Sequence, residues 1–388
     1  MPMRVAIVQE YIPLYAASFF ERVASQPEMN LEVIADLKTR SALNQVKMCS
    51  RSFSAIHVPI WHVGRVRLRP GLRACVMQFR PHLVVIGAHI GSVSELALLL
   101  SCRSKQIPVA VWDHFHRLGG ASWYWDAYQT LLGRLATASF AYSERGRHEQ
   151  ERRGVKSSQI HVLSTAIDET RMLSLSASLT PECLSKFRRE EQLEEKHLIL
   201  HVARLTKERR ADLLLEAFAL LCKKRSDVVL ALIGDGDCRV ALCHQAAQLG
   251  VQNAVRFLGA SYDEMVAAKW FRAASIFALA SGVGLSIHHA MCYGLPVVTG
   301  DDIASHGPEI ELLRPGYNGL TYRAGSAADF CDKLNLLIDN DGERIRLGTN
   351  ARHTVASEFT MDRKVRNFLT AIHATVVQHP KGVSVVAS

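Results

Sequence analysis

Several absences narrow the reading of this 388-residue chain first. No apolar run approaches the roughly 20 residues needed to span a bilayer. The start, MPMRVAIVQEYIP, puts Gln9 and Glu10 directly after a short apolar run, which reads as a first strand and not as a signal peptide. The nine cysteines are scattered, odd in number and without a CxxC pair, so they read as free thiols of a reducing cytoplasm. No zinc site, ordered metal-ligand cluster or Walker A loop appears, and no Ser/His/Asp set at a nucleophile elbow. The residues by themselves thus assign neither a metal nor a bound cofactor. Zinc-finger and helix-turn-helix signatures are missing too, which sets nucleic acid aside as a partner.

What remains is an ordinary globular composition, 48% hydrophobic and 21% charged, of a length that suggests about two domains. The net charge of +9 is uneven: residues 1–170 hold 20 Lys+Arg against 13 Asp+Glu. Within them, residues 65–82 carry Arg65, Arg67, Arg69, Arg73 and Arg80 with no acid. That stretch reads either as a solvated charged face or as contact with an anionic membrane surface through Arg65, Arg67, Arg69 and Arg73.

Short apolar runs alternate with helical patterns along the whole chain. Strands are expected at residues 4–8, 31–35, 56–61, 82–88, 107–112 and 138–142. After a Ser-rich and charged break at 154–196, read as lacking a buried strand, they resume at 197–202, 228–233, 255–257, 275–279 and 295–299. This predicts two α/β domains, each a doubly wound parallel sheet, with the junction near residue 170. A last amphipathic helix covers 361–376. Ligands of such sheets bind beyond the carboxyl ends of the strands, so loops around Tyr11, His114, Arg204, Ser281 and Asp301 are expected to face a cleft.

Residues 280–300, ASGVGLSIHHAMCYGLPVVTG, read as loop, helix and buried strand. Gly282 and Gly284 lack a Cβ and admit close approach of backbone to a ligand. A helix starting near Leu285 exposes backbone N–H groups that attract phosphate. The stretch is either such a cradle or an ordinary crossover with a glycine turn. Arg204 and Arg209, in the loop after a buried strand, suit a diphosphate because guanidinium forks match phosphate oxygens. Lys207 and Arg210 beside them read as solvent-facing. His114, with His116 nearby, either relays a proton or is a hydrogen-bonded structural histidine.

Five motifs in order, HVARLTKERRADLLLEAF, LIGDGD, VRFLGA, ALASGVGLSIHHAMCYGLPVVTGDD and PEIELLRPGYNGLTY, over residues 201–322, resemble the GT-B glycosyltransferases of the group 1, or family 4, class. The first half resembles them more loosely, in VQEYIPLYAASFFERV and VWDHF. The resemblance implies two Rossmann-like domains facing a central cleft. Residues 1–170 would bind the acceptor and 171–360 a nucleotide-sugar donor, with helix 361–376 packing back on the first domain. It implies a retaining transfer to a saccharide or lipid-linked saccharide acceptor in cell-surface polysaccharide assembly, without metal, in the cytoplasm or peripherally on the membrane's inner face. Arg204 and Arg209 correspond to the cations that hold the donor diphosphate. Gly284, Leu285 and Ser286 correspond to the loop that meets phosphates and sugar. His114 corresponds to a histidine near the transferred sugar, Tyr11 to the first loop, and Glu309 lies near the next donor loop. Ser281 and His289, with seven residues between them, stand where the family commonly has two glutamates. This implies a different donor, a compensating group or weak activity. A nucleotide-sugar-binding protein without catalysis, or another GT-B enzyme such as an epimerase, are the alternatives.

Overall fold

The computed structural model describes residues 2–38, 53–89, 91–113 and 123–379. The chain divides into two compact units, Met1–Thr165 with Met361–Ser388, and Ala166–Thr360.

In the first unit, β1 (Met3–Val8), α1 (Leu14–Ala24), β2 (Met29–Ala35) and β3 (Ser54–His57) are followed by a hairpin of β4 (Trp61–Val63) and β5 (Val66–Leu68). Then come α2 (Leu72–Phe79), β6 (Leu83–Ile86), α3 (Val93–Ser104), β7 (Val109–Asp113), α4 (Trp123–Leu135), β8 (Ala138–Ala141), α5 (Glu144–Arg152) and β9 (Ile160–Val162). Seven of these strands form one sheet in the order β3-β2-β1-β6-β7-β8-β9, with parallel pairings throughout. Both faces are buried: Val5 and Ile7 enter one core, Ala6 and Val8 the other. Strands covered on both sides read as continuous apolar runs, which is why they were visible in the sequence.

The second unit opens with α6 (Glu169–Ser178) and α7 (Pro181–Glu190), then β10 (His197–Val202), α8 (Ala211–Lys224), β11 (Val228–Ile233), α9 (Arg239–Gln248), β12 (Val255–Gly259), α10 (Glu264–Ala273) and β13 (Ile276–Leu279). It closes with α11 (Ser286–Cys292), β14 (Val297–Gly300), β15 (Gly319–Tyr322), α12 (Ala327–Asp339) and α13 (Asp341–Glu358). Its parallel sheet runs β12-β11-β10-β13-β14-β15. The strand order reverses between β10 and β13, and a doubly wound sheet binds its ligand at such a switch point. The final helix, α14 (Met361–Val377), belongs to the first unit. Its Phe368 packs edge-on against Phe19 and Phe140, with ring centroids 5.2 and 5.9 Å apart.

Three expectations need correction. The break at 154–196 does contain a sheet strand, β9, which pairs with β8. Three residues are too few to show a period. The same break carries α6 and α7, capped by the side chains of Asp168 and Thr180. The strand expected at 56–61 is in fact the end of β3 and the start of a separate hairpin. The arginine run at 65–82 is not a uniform solvent face. Arg69 is 3% exposed, and its guanidinium donates to Glu95 at 3.3 Å, to the Gln9 carbonyl at 3.0 Å and to the Ile34 carbonyl at 3.4 Å. Arg67 is ion-paired with Glu10. Arg65 and Arg73 remain exposed. Arg69 therefore ties the ends of β1 and β2 together, a role that charge counting along the chain does not reveal.

Candidate active site

The two loops at the switch point of the second unit are built by close backbone packing. Beyond β10, the Ala203 N–H donates to the Ile233 carbonyl at 3.1 Å and the Leu205 N–H to the Asp235 carbonyl at 2.9 Å. The Cys238 N–H donates back to the Leu205 carbonyl at 3.0 Å. Two glycines permit this contact. A Cβ on Gly234 would lie 1.8 Å from the Ala203 oxygen, and one on Gly236 would lie 2.5 Å from the Leu205 oxygen. The pinned strand end carries Arg204 outward, and a short 3-10 turn at Lys207–Arg209 then presents Arg209. Arg210 is held by both carboxylate oxygens of Asp212, each 3.1 Å away, and Lys207 is exposed.

Beyond β13, the glycine loop receives the Arg209 side chain. A Cβ on Gly282, whose φ is +66°, would fall 2.8 Å from Cδ and 3.2 Å from Nη1 of Arg209. One on Gly284 would lie 3.5 and 3.6 Å from its two terminal nitrogens. Burial, followed by the nearby charge of Arg204, disfavours the Arg209 guanidinium cation, and Glu309 and Glu208 oppose that. Among the described residues, no acceptor takes a hydrogen bond from the guanidinium of Arg204 or Arg209, nor from the backbone N–H of Gly284 or Leu285. Two like charges and unpaired donors thus share one corner, an arrangement an anion with several oxygens would satisfy.

The glycine loop is clamped from a third segment. His306, fully buried, accepts the Val283 N–H at Nδ1 (3.1 Å) and stands 2.9 Å from the Gly300 carbonyl at Nε2. A carbonyl only accepts and an amide N–H only donates, so these bonds require the neutral tautomer with its proton on Nε2. The Gly307 N–H donates to the Val283 carbonyl at 2.9 Å, so both polar groups of Val283 are held. Glu309, 6% exposed, folds its carboxylate over Gly307, where a Cβ would come within 2.6 Å of Oε2.

Helix α11 follows Leu285 and has only seven residues, which makes its dipole a lesser contributor than the arginines. Ser286 opens it and Ser281 is half-buried at the end of β13. His289 stacks on Phe271, rings 6.0 Å apart and 18° from parallel, and Phe271 stacks in turn on Tyr293. Burial pulls the His289 pKa down to about 4, so the imidazole is neutral near pH 7 and can accept a hydroxyl hydrogen bond.

Behind the arginines sits His201, fully buried on β10, with Nδ1 3.0 Å from the Ala278 carbonyl. Its Nε2 has no hydrogen-bond partner among the described residues. Burial, with a further push from Arg209, lowers its pKa to about 4, against a carbonyl contact that acts the other way. The unfolded chain would protonate near 6.5, so it binds more protons than the fold between pH 6.5 and 4. Stability from this group is complete above pH 6.5 and falls as acid is added, by about 3 kcal/mol at pH 4. Urea unfolding of wild type and His201→Gln from pH 7 to pH 4 checks this: the variant should show the shallower decline.

In the first unit, Tyr11 is half-buried just beyond the end of β1. Strand β7 ends at Asp113, and His114 and His116 lie outside the described residues. In the second unit the fold brings together Arg204, Arg209, Gly284, Leu285 and Glu309, with Ser281, Ser286 and His289 on the same loop and helix. Sequence reasoning missed His201, His306 and Phe271. His201 sits at an apolar strand position and His306 in an irregular loop, and neither belongs to a spacing pattern.

Among the described residues, no group of three or more His, Cys, Asp or Glu could hold a metal ion. The two parallel α/β units, with cations at the switch point of the second, define the GT-B class of fold. Residues 185–354 match the family described as glycosyl transferases group 1. The chain is 29% identical over 168 residues to the lipopolysaccharide core biosynthesis glycosyltransferase LpsE of Rhizobium meliloti, covering 42% of this chain and 46% of LpsE. It is 31% identical over 163 residues to a D-inositol 3-phosphate glycosyltransferase of Corynebacterium aurimucosum, covering 40% of this chain and 38% of that one. The aligned stretch spans less than half the length of these curated relatives. In fold the chain is similar to HepE of Anabaena, solved in complex with UDP, with a TM-score of 0.74 at 18% identity, covering 96% of this chain and 99% of HepE. It is also similar to a glycosyltransferase of Rickettsia africae, with a TM-score of 0.76 at 16% identity, covering 97% and 99%.

Proposed function

We propose that this protein is a retaining glycosyltransferase. It moves a sugar from a nucleotide-sugar donor to a saccharide or lipid-linked saccharide acceptor in cell-surface polysaccharide synthesis. It works without a metal ion, in the cytoplasm or peripherally at a membrane's inner face. The observation that carries the reading is Arg209, desolvated against the glycine loop beside Arg204, with no hydrogen-bond acceptor among the described residues. As the glycosidic bond to the nucleotide breaks, negative charge grows on the leaving diphosphate. Arg204, Arg209 and the N–H groups of Gly284 and Leu285 neutralise it, which is electrostatic stabilisation supplied by groups already in place. His289 accepts a hydrogen bond from a donor hydroxyl, and Ser281 contributes a neutral one. The negative charge of Glu309 helps to hold Arg209 as a cation. His114 is assigned to the sugar or acceptor, and Tyr11 to the acceptor.

A thermal-shift panel of nucleoside diphosphates tests this. UDP, the ligand in the HepE structure, is the first candidate. A ligand at about 100 times its Kd should stabilise the fold by about 2.7 kcal/mol. Arg204→Ala should weaken binding by roughly tenfold to a hundredfold, the worth of one charge-assisted contact. Lack of any shift across the panel would overturn the donor site. The absence of both glutamates at Ser281 and His289 favours a second reading, a nucleotide-sugar-binding protein without turnover. Nucleotide binding with no diphosphate release from any donor, acceptors included, would establish that reading instead.

A further inference from the structure

The β4–β5 hairpin is built the wrong way round for a solvated ribbon. Its register pairs Trp61 with Leu68, His62 with Arg67 and Val63 with Val66. Cross-strand partners share a face and successive residues alternate. One face therefore carries Trp61, Val63, Val66 and Leu68, and the other His62 and Arg67. The Arg67 face is tied to the domain by its guanidinium, which is ion-paired with Glu10, while the outer edge of β5 is held by the Arg67 N–H, which donates to the Gly91 carbonyl at 2.7 Å. The apolar face is left outward, with Trp61 58%, Val63 62% and Val66 38% exposed. An antiparallel ribbon on a soluble domain normally turns its apolar side to the core.

The charge around the hairpin says what covers it. Residues 37–94 contain nine Lys and Arg and not one Asp or Glu. Among the described ones, Lys38, Arg65, Arg73 and Arg80 are exposed, with Arg65 in the hairpin turn itself. Beside it, a groove of about 560 Å³ is lined by Arg73 and Lys105 together with Leu72, Met77 and Ala97. A second copy of this chain would set one basic hairpin surface against another and be repelled. Nucleic acid would find one aromatic ring and two β-branched side chains, not a row of stacking platforms. An anionic bilayer meets both needs. Trp favours the headgroup level, apolar side chains enter just below it, and cations meet lipid phosphate.

We propose that the β4–β5 hairpin docks the first unit on an anionic lipid surface, with Trp61, Val63 and Val66 entering the headgroup region and Arg65 at its phosphates. The proposal rests on the membrane part of the functional reading and not on the donor chemistry. The full-length protein is sedimented with vesicles of phosphatidylcholine alone or with phosphatidylglycerol added. Wild type should bind the mixed vesicles and bind pure phosphatidylcholine weakly. Trp61→Ser with Val63→Ser should lower the partition coefficient at least tenfold, and Arg65→Glu should lower it on mixed vesicles only. Both variants should keep the wild-type melting temperature and UDP shift, which separates a docking defect from a folding or donor-site defect. Equal binding by wild type and the double variant would overturn the hairpin assignment. Failure of wild type to bind any vesicle would overturn the membrane reading while leaving the donor site intact. Release from mixed vesicles by a short DNA duplex, with binding transferred to the duplex, would overturn it in favour of nucleic acid.

Discussion

Arg209→Ala should lower kcat/KM for sugar transfer by roughly a hundredfold to a thousandfold, the usual cost of losing one preorganised donor to a developing anion. Arg209→Lys should recover part of it, because the charge is kept and the planar fork is lost. The sign of the stability change makes the prediction sharper. In the empty protein Arg209 is desolvated against residues 282–284 and repelled by Arg204, so its cation is held there at a cost. Removing it should leave the melting temperature of the unliganded protein unchanged or higher, while the nucleotide-induced shift disappears. That opposition of stability and activity is typical of a functional charge. Steady-state kinetics with parallel thermal melts checks both halves. A variant that melts lower and still turns over at the wild-type rate would mark Arg209 as structural.

Gly234→Ala is expected to be the most disruptive single methyl in the second unit. The new Cβ would sit 1.8 Å from the Ala203 carbonyl oxygen, a backbone atom that cannot rotate away and whose residue is held by its own N–H on the Ile233 carbonyl. The φ of +150° adds strain for any side chain. A cost of about 3 kcal/mol or more follows from displacing the pair of loops. For a domain of this size that is roughly 6–12 °C in melting temperature. Gly250→Ala is the matched control. Its φ is +72° and nothing lies within 4 Å of the added carbon, so only the backbone term remains, about 1 kcal/mol. If the two variants melt together, the loops at 203–205 and 234–236 are not packed as described. If they separate as expected, Gly234→Ala should also lose nucleotide affinity, because Arg204 is carried on the displaced segment.

How much of this was legible in the sequence depended on whether a residue's role is local. Central strands such as β10 and β11 were read to the residue, since burial on both faces makes them nearly continuous apolar runs, broken in β10 by His197 and His201. The chain order of arginine loop, glycine loop and following strand was equally plain. Short edge strands were not: β9 has three residues and β15 opens with a glycine. Arg69 was read as a surface cation because its sequence neighbours are cations, whereas its partners, Glu95 and the carbonyls of Gln9 and Ile34, are at least 26 residues away. The outward apolar face of the hairpin was hidden for a related reason. Which side of a two-stranded ribbon meets the domain is decided by the Arg67–Glu10 pair, a contact made only after folding.

The clamp of His306 on Val283 has a thermodynamic corollary. A recognition loop whose central peptide is bonded on both sides before any ligand arrives has its ordering entropy charged to folding and not to association. Under the proposed donor-binding role, selectivity at residues 282–284 comes from a fixed shape, and a change at position 306, remote in sequence from the loop, would blunt affinity without removing a single ligand contact.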